Sequence, residues 1–533
     1  MSHRPAAPID QKALREKLMG LLESGQSDAL LDAVVGLVSE LQKDNQRLGD
    51  RVRELLRKLY GRKSEKVSAE QLSLFFAALD DQAPESAKAA IDKANVPQPE
   101  APPKRVSSHK GRTALPVDLP REEVVVALSE TERLCPECGE VRKTIGHVDS
   151  EVLEFRPAHF VILVEKREKV ACEKCEGNVD VADSDKVMDR GRPGPGLLAN
   201  ILVEKHDDSM PLERQSKQYA RSGVRIPPST IGDWYRFGAG VISPVATLIS
   251  ICTLESFAIN ADDTGHRVQD PTHKNRIKRG RLWCFVGDRQ FVTFHYAPDW
   301  KAEHPGEFLR DFDGFVQCDD YAGYSSEVGP PDERHIVVAD DRRLGCGMHI
   351  RRKFEIALDA GNPDAAIAIA FFRRLYDLER TFKAQGLDKA PVARLEQRNL
   401  HSQPILSEFK AWLDQKRDTT IPDTLLYKAV RYAVNQWDYF ARCFTDGRFE
   451  IDNGAVEREF RRIRLGEKNF LFAGSDAAAT RIADVCTVIA TCKANGVEPL
   501  AYLTDVIAKL QRGWPLSDIE ALLPHRWLAA RAA

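Results

Sequence analysis

The chain has 533 residues, 43% of them hydrophobic and 29% charged, with a formal net charge of −3, so it is long enough for several domains that each bury a core. Its sequence pI of about 6.5 excludes a uniformly basic nucleic-acid binder, and any such contact must come from local basic patches. Met1 to Leu18 is polar and charged, and no apolar run is read as membrane-spanning; the expectation is a cytoplasmic, nucleoid-associated protein with no membrane partner.

In chain order, residues 1–79 form a helical, leucine-zipper-like region. Leu31, Val38, Val52 and Leu59 occupy one heptad position and Val34, Leu41, Leu48 and Leu55 the other, with Asn45 interrupting the first row. Such a pattern predicts a self-associating coiled-coil helix and hence a homo-oligomer. A basic break follows at Lys58 to Lys66. Residues 80–113, rich in Ala, Pro, Lys and Ser, read as a flexible linker that ends in the basic arm His109 to Arg112.

Two CxxC pairs, Cys135/Cys138 and Cys172/Cys175, give the sharpest local signal. Each is a knuckle able to present two thiolates to one tetrahedral ion, and Glu151 to Val170 between them alternates like a β-hairpin. Residues 114–190 are therefore expected to be a small β zinc ribbon with one structural Zn2+, closed to catalysis. The other seven of the eleven cysteines read as buried thiols. Residues 191–250 read as a helical region in which Glu213 to Ala220 and the segment from Ser229, taken as a cap, suggest a helix-turn-helix-like pair. Ordinary helix packing is the more common explanation for such a pair.

Beyond residue 250 strands predominate. Phe257 to Asp263 is an apolar run ending in two acids. Leu282 to Val286 and Phe291 to Tyr296 make a hairpin, and Phe315 to Asp320 is a second strand ending in two acids. Strand-end carboxylates brought side by side need a cation, and a ribonuclease-H-like sheet would use them to hold divalent metal. Because side chains alternate along a strand, only one acid of each pair can join a given cluster, and periodicity does not say which. Residues 355–444 read as an α-helical insertion in which Trp437 is a core residue. The segment from Asp452 to Ser475 combines Glu457, in the first turns of a short helix capped by Asp452 or Asn453 and stopped at Gly466, with Arg461, Arg464 and Lys468 on the same side.

These residues carry a resemblance. Ala261 to Thr264, Gln317 to Tyr324, Cys346 to Phe354 and Asp452 to Ser475 are similar to motifs of the DDE transposases of the insertion sequence 66 family. Tyr60 to Lys66, Leu115 to Glu122, the paired CxxC and Pro211 to Arg214 resemble the same family in the same order, so the likeness covers nearly the whole chain. It implies that Asp262, Asp319 and Glu457 are the catalytic triad. They would hold two Mg2+ (or Mn2+) ions for hydrolysis at the element ends and for strand transfer. Asp263 stands where the family usually has Glu, Asp320 where Gly is common, Glu467 where Arg is common and Phe470 where Trp is common.

The fold expected is multidomain α+β: coiled-coil helix, zinc ribbon, helical DNA-binding region, and a ribonuclease-H-like α/β catalytic domain (251–354 and 445–475) around the insertion, with a helical region at 476–533. Partners would be double-stranded DNA, both the terminal inverted repeats and the target, together with small accessory proteins of the same element. Lys274, Arg276, Lys278, Arg279, Arg281, Arg351, Arg352, Lys353, Arg458, Arg461, Arg464 and Lys468 are the candidate phosphate contacts. His349 is open between positioning a phosphate or metal and a structural role. Two other functions fit the same residues: a ribonuclease-H-like nuclease of recombination or repair, and a non-catalytic zinc-ribbon DNA-binding regulator.

Overall fold

The computed structural model describes residues 11–24, 26–60, 160, 162, 169–172, 177–181, 188 and 193–532. The linker 80–113, the basic arm, Cys135, Cys138 and Cys175 lie outside the described residues, as does the side chain of Cys172. The elements below, apart from Arg221 at the end of one helix, belong to the unit formed by Met1–Val96, Glu165–Ala220 and Arg225–Ala533.

Helix α1 spans Gln11–Glu23 and α2 spans Ser27–Tyr60, a continuous 34-residue helix. The predicted heptad residues Leu31, Val34, Val38, Leu41, Leu48 and Val52 are exposed on α2. Strands β1 (Lys169–Cys172) and β2 (Gly177–Val181) pair antiparallel with Cys172 opposite Gly177, so the first cysteine of the second CxxC is the last residue of β1. This hairpin starts where the predicted one was expected to finish.

Helices α3 (Pro195–His206), α4 (Leu212–Arg221) and α5 (Pro228–Leu254) follow. The α5 N-cap is Pro227, with Pro228 as the first helical residue, so Ser229 is inside the helix and not its cap. Contrary to the sequence expectation, α5 is long and apolar enough to cross a membrane by composition alone. Its apolarity has another cause. Ile242, Val245, Ala246 and Ile249 are buried, and the Thr253 hydroxyl meets that of Thr293 at 2.9 Å on a strand of the central sheet.

That sheet has five strands. β3 (Ala258–Gln269), β4 (Ile277–Gly287) and β5 (Phe291–Ala297) form an antiparallel meander; α6 (Glu303–Leu309) then leads to β6 (Phe315–Gln317), which is parallel to β3. A minor ribbon of β7 (Glu327–Val328) and β8 (His335–Ile336) precedes β9 (Arg343–Leu344), which pairs parallel with β6. The order is β5-β4-β3-β6-β9. Both faces are covered, which is why Leu282 to Val286 reads as an unbroken apolar run and not as an alternation. Leu282, Cys284 and Val286 face one core, and Trp283 and Phe285 the other.

Helix α7 (Gly347–Asp359) opens the insertion, continued by α8 (Asp364–Ala384), α9 (Pro391–Gln397), α10 (Gln403–Thr419), α11 (Leu425–Asn435) and α12 (Trp437–Arg442). Its core is aromatic: Trp437 meets Phe409 edge-on with centroids 5.6 Å apart, the buried role expected of it. Helix α13 (Gly454–Phe470) returns to the sheet, and α14 (Asp476–Ala494), α15 (Pro499–Gln511) and α16 (Pro524–Ala532) complete the chain. α13 runs through Gly466, which was expected to stop it. The Phe470 ring folds over that glycine so closely that a Cβ there would lie 2.4 Å from the ring, and the helix ends instead at Leu471, with φ 64°. α14 covers the edge strand β5: Thr491 and Thr487 accept from the backbone N–H groups of Val292 (3.1 Å) and Phe294 (2.8 Å), donors that an open edge would leave for another chain. The seven cysteines outside the CxxC pairs are free thiols, six of them buried.

Candidate active site

Strand register explains how the first two acids meet. In the parallel pair β3–β6, Asn260 lies opposite Gln317, and their buried side chains are joined by a 2.7 Å bond from Asn260 Nδ2 to Gln317 Oε1. Two residues further on, where side chains of a continued strand return to the same face, stand Asp262, still on β3, and Asp319, past the end of β6 but near enough for its charge to act on Asp262. Asp262 is not at a strand end as expected, because β3 continues to Gln269 against β4; it is β6 that stops, leaving Asp262 just beyond its last parallel partner.

The neighbouring acids are spent elsewhere. Asp263 takes the Arg281 guanidinium at 2.5 Å and the Trp300 indole N–H at 3.1 Å, while Arg281 also lies over the Trp300 ring. Asp320 accepts from Gln436 Nε2 at 2.6 Å and faces Arg343 at 3.7 Å. Arg281, predicted to meet phosphate, is thus committed to an internal ion pair.

Glu457 and His349 arrive from the first turns of α13 and α7. Their donor atoms and those of Asp262 all lie within 4.8 Å of one another. Burial, and then the nearby charge of Asp319, push the Asp262 carboxyl up to about 8, with Glu457 adding to the effect. Burial lowers His349, against the opposing pull of Asp319 and Glu457. A set of oxygen donors and one imidazole, crowded to the point of like-charge repulsion, fits a divalent cation, whose binding would displace protons.

Asn453 is the residue that sequence reasoning undervalued. It occupies the N-cap position of α13 but does not cap with its side chain. Instead Nδ2 donates to the carbonyl of Ala261 at 2.8 Å, and its backbone N–H donates to Cys346 Sγ at 3.2 Å. One fully buried residue, through its side chain and its backbone N–H, therefore ties together the segments carrying Asp262, His349 and Glu457. Gly347 N–H donates to Ile451 O at 3.0 Å, and a Cβ at Gly347 would lie 2.7 Å from that oxygen, so the approach of the two helix starts needs glycine.

Among the other predicted cations, Lys274, Arg276, Arg279, Arg458, Arg461 and Lys468 are exposed. Lys278 pairs with Asp476 at 2.7 Å and Arg351 with Glu355 at 2.5 Å; Lys353 lies over the Tyr432 ring at 5.0 Å, and Arg352 reaches Glu457 at 3.7 Å. Arg464 donates to Glu467 at 3.1 Å. Glu467, where a cation was expected, turns inward: its carboxylate meets His266 Nδ1 on β3 at 2.8 Å. Since His266 Nε2 is already buried without a partner, Glu467→Ala is expected to cost about 1–3 kcal/mol, read as a lower thermal midpoint.

A family model described as Transposase IS66 family matches residues 190–481, the segment that contains the whole of this site. The chain belongs to the IS66 transposase family. Three further models of that family match in order: the homeodomain of IS166 transposase C over 47–124, the zinc-finger binding domain of transposase IS66 over 132–176, and the IS66 C-terminal element over 487–525. Two proteins of Sinorhizobium fredii (strain NBRC 101917 / NGR234) are similar over most of their length. Uncharacterized protein y4hP is 30% identical over 91% of this chain and 89% of its own, and uncharacterized protein y4qI is 29% identical over 97% of each. For this IS66 transposase, the C-terminal element is the part that covers β5 with α14 and then packs α15 beyond it.

Proposed function

We propose that this IS66-family chain cleaves DNA at the terminal inverted repeats of its own element and joins the freed 3′ ends to target DNA, with Asp262, Asp319 and Glu457 as the acids of a ribonuclease-H-like site. The observation that carries this reading is the parallel register of Asn260 with Gln317, which favours Asp262 and Asp319 over their neighbours, with Glu457 delivered beside Asp262. The strand order, an antiparallel meander followed by two short parallel strands, supports the ribonuclease-H-like assignment. When bound, two divalent ions, Mg2+ or Mn2+, supply Lewis acidity for hydrolysis and then for attack by the 3′-hydroxyl. The chain's own part is to hold three carboxylates at fixed spacing and to offer Arg458, Arg461, Lys468, Lys274, Arg276 and Arg279 to phosphates. No covalent protein intermediate is needed.

The test is incubation of purified protein and divalent metal with a duplex carrying the repeats that flank its coding region. Cleavage at the repeat end with a joined product is expected. Equal cutting of unrelated or branched duplex would favour the repair nuclease, and binding without cutting would favour the regulator.

The match over 132–176 spans Cys135, Cys138, Cys172 and Cys175 and supports one structural Zn2+ held by four thiolates. Metal analysis should find about one zinc per chain, lost in Cys172→Ser; a zinc-free native protein would refute this. The exposed heptad stripe of α2 supports self-association through that helix.

A further inference from the structure

We propose that His349 is a direct ligand of the divalent metal, so that Asp262, His349 and Glu457 form a mixed carboxylate–imidazole site that prefers Mn2+ over Mg2+. This rests on the metal-site reading above and deepens it.

Three observations support the inference. First, the donor atoms of these three residues lie within 4.8 Å of one another, close enough to share one ion. Second, His349 Nδ1 is buried and makes no hydrogen bond. Other histidines are anchored through a ring nitrogen: His206 Nε2 meets the Tyr235 hydroxyl at 2.8 Å with Cys486 Sγ at 3.6 Å from Nδ1, His304 meets Asp299 at 2.6 Å, and His266, whose Nε2 also lacks a partner, is held through Nδ1 by Glu467 at 2.8 Å. Burying an imidazole nitrogen without a partner costs about 1–3 kcal/mol, a cost with no structural return if the ring served only packing. Third, the backbone that carries the ring is held in place by contacts that need no ion. His349 lies two residues after Gly347, which bonds to Ile451, and three after Cys346, which bonds to Asn453. The same Asn453 holds Ala261, next to Asp262, and precedes Glu457 by one helical turn.

The metal preference follows from donor chemistry. Mg2+ takes hard oxygen ligands and gives up water reluctantly, whereas an imidazole nitrogen raises affinity along the transition series. Asp319 accepts the Tyr321 N–H at 3.0 Å and is near enough for its charge to act on both Asp262 and His349, though it is not one of the three residues whose donor atoms lie within 4.8 Å of one another.

The experiment is titration of the full-length, zinc-loaded protein with Mn2+ and, separately, with Mg2+, in the absence of DNA, following free Mn2+ by electron paramagnetic resonance and heat by calorimetry. The parental protein should bind Mn2+ at least tenfold more tightly than Mg2+. His349→Ala should weaken Mn2+ binding at least tenfold while circular dichroism stays unchanged, and His349→Asp should keep Mg2+ binding and lose the Mn2+ preference. Unchanged Mn2+ affinity in folded His349→Ala, or no Mn2+ binding by the parental protein, would overturn the inference. The transposase reading is judged separately by the repeat-cleavage assay. Cleavage with Mg2+ alongside His349-independent Mn2+ binding removes only the His349 assignment. His349-dependent Mn2+ binding without cleavage removes only the transposase reading.

Discussion

Asp319→Asn is expected to reduce repeat-end cleavage on the order of 10³-fold or more, about 4 kcal/mol of barrier, while Asp320→Asn stays within about threefold of the parental rate. The two substitutions are the same chemical change one residue apart. They differ because Asp319 is near enough to Asp262 for its charge to act on that carboxyl, whereas Asp320 points to Gln436 and Arg343. Asparagine at 320 keeps an oxygen for Gln436, so the fold has little reason to suffer. The same contrast should hold between Asp262→Asn and Asp263→Asn, with one addition: Asp263→Asn leaves the Arg281 guanidinium without its anion and should lower the thermal midpoint modestly. Rates measured on a repeat-bearing duplex, with duplex binding as a control, check the set. Cleavage by Asp319→Asn at the parental rate would end the triad assignment.

Glu379→Gln should be the most destabilising single change in the insertion, costing about 3–5 kcal/mol. Glu379 accepts from Arg394 Nη2 at 2.6 Å and from Arg398 Nε at 2.7 Å, and Arg398 is fully buried. Removing the anion leaves two buried guanidiniums with one formal partner between them, the acid Glu450 at 3.1 Å from Arg394. Those guanidiniums also hold the returning chain, donating to the carbonyls of Cys443, Asp446, Gly447 and Phe449. A fall in thermal midpoint on the order of 10 °C is expected by calorimetry. Its pH dependence has a definite sign. Burial raises the Glu379 carboxyl, but Arg398 and Arg394 outweigh it and hold the group below the ordinary carboxylate range. The stabilisation is therefore complete above that range and is lost as pH falls through the folded value, so the gap between parental and variant midpoints should close on acidification. A gap that widened toward acid pH would contradict the network.

Much of this architecture could be read from local pattern. The hairpin at Gly287, the apolar strands approaching Asp262 and Asp319, the helical insertion and the core position of Trp437 all follow from periodicity and turn residues. Which acid of each adjacent pair faces the site could not be read. That depends on pairing between Asn260 and Gln317, residues distant in sequence, and no local signal sets their register. Asn453 illustrates a second limit. Its type and place marked a helix cap correctly, yet its side chain serves Ala261 because a buried carbonyl there has the stronger need. Gly466 misled for a related reason: glycine stops helices by default, but here it makes room for Phe470. His349 could be read as positioning a phosphate or metal or as structural, and sequence did not choose, since its unpartnered nitrogen belongs to tertiary packing.

The placement of the insertion has a consequence for how the protein is made. All five strands of the sheet are present once Leu344 has been synthesised, yet Glu457 and Asn453 come only after the last insertion helix. A nascent chain can pair β3 with β6 and set Asp262 beside Asp319 long before it has the third acid or the asparagine that fixes all three segments. A product cut short anywhere within α8 to α12 would keep the zinc-finger family match at 132–176 and the helix α2, which precede the sheet, but neither Asn453 nor Glu457. On the proposed reading, such a fragment lacks the third acid and should not cleave repeat-bearing duplex.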